Sequence, residues 1–170
     1  MDFLTLTKKR YSVRSFKSTP VEQEKIDALL EVARNAPTAH NNSPQHIFVI
    51  RSPEGLEKAD ACAQWHFAPP VMLVIGYEPD VAWCRAEDGK NHGEIDASIA
   101  LTQMMLQAAE MDLGTVYLGM FDPVKLVESF PEMEGTVPIA MIPLGYPADD
   151  SKPNVRHEKR RPLDEIVTYL

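Results

Sequence analysis

Arginine forks and a hydroxyl are the side-chain groups that hold a phosphate, because they present several directed donors at once. The segment Arg10-Tyr11-Ser12-Val13-Arg14-Ser15-Phe16 sets two arginines around a serine. If it is extended, alternation places Arg10, Ser12 and Arg14 on one side. The alternative is a solvated basic turn. A second basic island lies near the other end, at Arg156, Lys159, Arg160 and Arg161. Five of the 17 Lys+Arg fall within residues 8–17 and four within 156–161, opposed there only by Glu158. In a 170-residue chain of net charge −8, two such islands are either both solvated or converge on one anion. Domain termini often lie close in space, which allows convergence.

Other chemistries lack their signatures. There is no Gly-x-Ser-x-Gly elbow, Walker A loop, His-Glu-x-x-His or Gly-x-Gly-x-x-Gly. His92, Glu94 and Asp96 could be imagined as metal ligands, but acids at the start of a helix answer its dipole, so no metal is expected. Cys84 beside Trp83 has no motif that places a base next to it. The acidic balance argues against general nucleic-acid or anionic-membrane binding. Two cysteines form no disulfide framework, no apolar run approaches membrane-spanning length, and residues 1–4 lack a signal-peptide layout. A reducing cytoplasm is the expected compartment.

The elements that must position these residues read as mixed α and β, in one domain over residues 1–170. Residues 3–10 predict a short helix. Thr19-Pro20-Val21-Glu22 has the form of a capping box opening a helix that ends before Pro37. Residues 46–51 predict a strand, and Ser52-Pro53 opens a helix to about residue 65. Residues 71–77 form a nearly continuous apolar strand, which implies burial on both faces. After a polar loop, residues 94–111 carry apolar side chains around most of the circumference and predict a central helix, with Gly114 as its C-cap. Residues 115–120 predict a strand, Asp122-Pro123 caps a short helix to Phe130, and residues 137–145 a strand whose Pro138 and Pro143 suggest an edge. The tail is polar, then apolar from Pro162 to Leu170.

Arg10-Tyr11-Ser12-Val13-Arg14-Ser15-Phe16 resembles the R-x-S-x-R-x-F signature of the nitroreductase-like flavoproteins. Further blocks follow in that family's order. They are Ala36-Pro37-Thr38-Ala39-His40-Asn41-Asn42-Ser43-Pro44-Gln45, Gly93-Glu94-Ile95-Asp96-Ala97-Ser98 and Gln107-Ala108-Ala109-Glu110-Met111-Asp112-Leu113-Gly114-Thr115. Then come Tyr117-Leu118-Gly119-Met120-Phe121-Asp122, Leu144-Gly145-Tyr146-Pro147 and Arg160-Arg161-Pro162-Leu163-Asp164-Glu165. The resemblance spans nearly the whole chain. Ser43 stands where the family usually has Gln, Gln45 replaces a frequent Trp, and a helical insertion over the substrate side is missing.

The resemblance implies an α+β, three-layer fold: a central, mainly antiparallel sheet flanked by helices, with the C-terminal tail reaching onto a dimer partner. It implies FMN at the interface of a homodimer. Arg10, Tyr11, Ser12 and Arg14 would hold the phosphate, ribityl chain and part of the ring edge, and Arg160, aided by Lys159, would reach the phosphate from the tail, with Arg161 an interchangeable candidate. Pro37, Thr38 and Ala39 would meet the flavin from the partner subunit, and Asn41 would steady that loop or touch the flavin. Gly119 and Met120 would offer backbone N–H groups near its N5 and O4. The implied activity is transfer of reducing equivalents from NAD(P)H through FMN to a small acceptor, by a ping-pong mechanism, with no dedicated catalytic side chain. The alternatives are a non-catalytic flavin-binding module of the same fold and an acidic protein docking phosphorylated partners.

Overall fold

The computed structural model describes residues 2–170. Four strands, β1 (Gln45–Ile50), β2 (Val71–Tyr77), β3 (Gly114–Thr115) and β4 (Val137–Gly145), form one antiparallel sheet in the order β1-β2-β4-β3. Five helices flank it: α1 (Phe3–Lys9), α2 (Gln23–Arg34), α3 (Pro53–Asp60), α4 (Gly93–Glu110) and α5 (Pro123–Ser129).

The apolar run of β2 explains the layering. Successive side chains alternate across a sheet, so Val71, Leu73 and Ile75 enter one core with Ile26, Leu29 and Ala33 of α2 and Ala97, Leu101 and Met104 of α4. Met72 and Val74 enter the other, with Ala59 of α3, Leu126 of α5 and Met133. Each large side chain so buried contributes about 1.5–3 kcal/mol. The three-layer α+β expectation holds.

Several local expectations do not. Glu22, not Thr19, is the N-cap of α2, and it makes no side-chain capping bond. Its carboxylate instead accepts from the Tyr146 hydroxyl at 2.7 and 2.9 Å. Helix α3 stops at Asp60 because residues 62–64 are captured by residues 120–122: the Asp122 N–H donates to the Cys62 carbonyl at 2.8 Å and the Gln64 N–H to the Met120 carbonyl at 3.1 Å.

β4 is internal rather than an edge, and its prolines fit for a directional reason. Backbone N–H groups alternate sides along a strand. The Met141 N–H donates to Leu118, on the β3 side, and the nitrogen of Pro143 faces the same way, where β3 has already ended at Thr115. Pro138 lies beside the register shift at Ile75/Gly76, where a bulge breaks the ladder. The strand expected over 115–120 reduces to β3 plus an isolated bridge between Leu118 and Met141. Asp112, with φ 59°, takes the left-handed position after α4 that was expected of Gly114. Gly114 is needed for space: a Cβ there would lie 2.6–2.7 Å from the Val13 side chain.

Candidate functional site

The contact between Val13 and Gly114 seats the first motif. The Val13 N–H donates to the Thr115 carbonyl at 3.0 Å, Ser12 bridges Thr115 in parallel, and Phe16 bridges Pro147. Residues 10–16 thus run extended along the β3 edge, with Val13 buried. Arg10, Tyr11, Ser12 and Arg14 line a cavity of about 700 Å³, while Val13 does not.

The tail supplies the opposite wall. His157 Nε2 donates to the Lys8 carbonyl at 3.0 Å, and its ring meets Tyr11 edge-on with centroids 6.4 Å apart. The Tyr11 hydroxyl donates to Ser151 Oγ at 3.2 Å. These contacts tie residues 151–157 to the end of α1 and bring Asn154, Arg156, His157 and Arg160 onto the cavity. The two basic islands converge. Burial first, and then the Arg160 guanidinium, hold the Arg10 side chain below the usual arginine pKa, as expected of like charges sharing a partly dry wall. Arginines and a hydroxyl with no carboxylate among the lining residues are a donor set that matches a phosphate.

Among the three tail cations left interchangeable by sequence, the structure separates the positions. Arg160 lines the cavity. Arg161 is engaged with Glu165 at 3.1 Å, and the Lys159 side chain is not on the wall. Sequence reasoning missed Trp65, Asn154 and His157 as wall residues. Arg156 it counted in the basic island without giving it a role there. Nothing in the sequence around Trp65 signals it.

Pro37, Thr38, Ala39 and Asn41 do not join this cavity. They form a loop at the other end of α4, where the Ala39 N–H donates to Oδ1 of Asp96 at 3.0 Å. The Asn41 N–H donates to the Thr38 carbonyl and the Ser43 N–H to Thr38 Oγ1, each at 2.9 Å. His40, Asn41 and Ser43 all have positive φ, a conformation costing about 1–3 kcal/mol for ordinary residues and often stored at functional sites. His40 stacks on Trp83 with centroids 5.2 Å apart. From sequence, Asp96 is a helix-start acid, against the alternative of a metal ligand beside His92 and Glu94. It is 3% exposed, with Oδ2 buried and without a hydrogen-bond partner.

Gly119 and Met120 lie between anchored neighbours. Leu118 exchanges both backbone bonds with Met141, and the Met120 carbonyl takes the Gln64 N–H, next to Trp65 of the cavity wall. The outer face of α4 carries a second depression of about 680 Å³, with Ile95, Ile99 and Leu106 beside Phe3 of α1. Among the described residues no cluster of three or more His, Cys, Asp or Glu is placed to hold a metal ion, and no helix is long and apolar enough to cross a membrane.

Known proteins share this fold. A nitroreductase family protein from Clostridium difficile 630 superposes with a TM-score of 0.92 at 39% identity, over 99% of this chain and 98% of that one. A protein from Exiguobacterium sibiricum 255-15, solved in complex with FMN, gives a TM-score of 0.85 at 20% identity, over 100% and 98%. The FMN reductase [NAD(P)H] of Bacillus subtilis (strain 168) is 28% identical over 179 residues, covering 94% of this chain and 71% of that protein. Residues 7–68 and 58–146 match the model of the Nitroreductase family. The chain belongs to the nitroreductase family.

Proposed function

We propose that this protein is an FMN-dependent oxidoreductase that passes reducing equivalents from NAD(P)H to a small acceptor, a nitroaromatic, a quinone or another flavin, in a ping-pong cycle. The observation that carries the reading is the carboxylate-free cavity where the two ends of an acidic chain bring Arg10, Ser12, Arg14 and Arg160 together. FMN bound there supplies the two-electron redox chemistry, and the chain supplies binding, orientation and charge. Arg10, Arg14 and Arg160 would neutralise the phosphate, Ser12 would add a hydroxyl donor, Tyr11, whose own hydroxyl is held by Ser151, would pack beside it, and the backbone at Gly119 and Met120 would meet the flavin edge. The family and the relatives' names support this cofactor and donor. With no acid–base side chain required, we assign no catalytic residue. The compartment we assign is the cytoplasm, consistent with two free cysteines.

The site is completed by a second copy of the chain. Ala39 is tied to the first turn of α4 and Val13 to residues just beyond its end, and an 18-residue helix is about 27 Å long. The loop at residues 37–41 therefore serves the cavity of a two-fold partner rather than its own. The exposed Ile95 and Phe3 beside α4 provide an apolar face for that contact, and the exposed Leu163, Ile166 and Tyr169 provide a tail that wraps the partner. No nucleic acid or membrane enters the reading.

The visible spectrum of the purified protein tests it. We expect a yellow protein releasing about one FMN per chain, and acceptor-dependent oxidation of NAD(P)H with parallel double-reciprocal lines. A protein that stays colourless after incubation with FMN refutes the oxidoreductase reading. One that binds FMN but oxidises neither nucleotide is a flavin-binding module instead.

A further inference from the structure

The cavity holds more positive charge than one flavin phosphate uses. Arg10, Arg14, Arg156 and Arg160 line it without a carboxylate, whereas a phosphate monoester carries about −1.5 to −2 charges. With Arg10, Arg14 and Arg160 given to the FMN phosphate under the function proposed above, Arg156 is left over. Its turn is built rather than loose: the Asn154 side chain accepts from the Arg156 N–H at 3.0 Å, the Arg156 carbonyl accepts from the Lys159 N–H at 3.1 Å, and the adjacent His157 is fixed to the Lys8 carbonyl.

The same cavity has an aromatic wall. Trp65 is 56% exposed, a large ring left open to solvent beside arginines. Its neighbour Gln64 is hydrogen-bonded to Met120, so the Trp65 backbone is held against the segment assigned above to the flavin edge. A surplus guanidinium and an open indole lining one cavity match an adenine nucleotide with an extra phosphate.

We propose that Arg156 and Trp65 form a subsite for the 2′-phosphoadenosine end of the electron donor, which makes NADPH the preferred reductant. Arg156 pairs with the 2′-phosphate and the Trp65 ring stacks on the adenine. The inference rests on the FMN reading and selects one of the two donors that reading leaves open.

The test uses FMN-loaded protein and calorimetric titration with adenosine 2′,5′-bisphosphate and with 5′-ADP, which lacks the 2′-phosphate. The bisphosphate is expected to bind about 10- to 100-fold more tightly, the worth of one charge-assisted pair. Arg156→Ala is expected to abolish that gap and to lower the NADPH/NADH ratio of kcat/KM by a similar factor, with the FMN content per chain unchanged. Arg156→Lys should keep part of the gap, and Trp65→Ala should weaken both nucleotides alike. Equal affinities in the parent protein would overturn the proposal. So would loss of FMN in Arg156→Ala, which would give Arg156 to the flavin phosphate, or release of FAD in place of FMN, which would give the surplus charge to the flavin's own second phosphate. Failure of the underlying reading is separately visible, as a protein that takes up no flavin.

Discussion

The backbone N–H of Ala39 reaches across 57 positions of sequence to Oδ1 of the buried Asp96, at 3.0 Å. One carboxylate in the first turn of α4 thereby pins a loop with three residues in the left-handed region. Bonds to a charged acceptor contribute about 1.5–3 kcal/mol. In Asp96→Ala the Ala39 amide is expected to exchange hydrogen at least about tenfold faster, while amides of β2 and β4 keep their protection. Unchanged exchange at Ala39 would remove Asp96 as the loop's anchor.

Replacing Arg10 and Arg14 together by alanine is expected to weaken FMN binding by roughly two to four decades, from two charge-assisted interactions of about 1.5–3 kcal/mol each. Thermal stability without flavin should not fall, because burial and Arg160 already penalise the charged Arg10. Flavin retained on a desalting column by the double variant would move the phosphate site elsewhere.

Gly114→Ala would place a methyl group against Val13 and push residues 10–16 off the sheet edge. Overpacking of this kind costs about 1–3 kcal/mol, and FMN uptake should fall with it because the arginines ride on the same segment. Val13→Ala in the same chain is expected to restore much of both losses. A denaturant series on the single and double variants measures the coupling.

Tyr146 sets a pH signature. Its hydroxyl, donating to Glu22, is the main cause holding that carboxyl below its usual pKa, and its bond with Lys25 is the main cause raising that ammonium. The Glu22 contribution is present above its unfolded pKa and is lost as pH falls through the lower folded value. The Lys25 contribution is present below its unfolded pKa and is lost as pH rises through the higher folded value. In Tyr146→Phe, NMR titration should find the Glu22 pKa moved up and the Lys25 pKa moved down. Unmoved titration curves would refute the triad.

Disrupting the outer face of α4 tests the two-copy site. Ile99→Arg should yield a monomer by sedimentation, with an intact circular dichroism spectrum and loss of bound FMN. A monomer that retains FMN at one per chain would show that residues 37–41 are not required from a partner.

Periodicity along the chain was enough for β2, whose apolar run admits only burial, and for α4 as a long core helix, though not for its open outer face, and the ordered blocks of motif residues were enough for the family. Long-range geometry was not legible. Pro138 and Pro143 read as an edge because sequence cannot say which way a missing N–H would point. Thr19 read as a cap because nothing local reveals that Glu22 turns to Tyr146, 124 positions away. The basic islands were visible as a count of charges, but only the packing of Val13 on Gly114 and of His157 on Lys8 made them one cavity and brought Arg156 to its wall, while the bond of Gln64 to Met120 placed Trp65 there. Local patterns specify which faces must be buried. Which distant side chains meet depends on how those buried faces stack, and no short stretch of sequence contains that information.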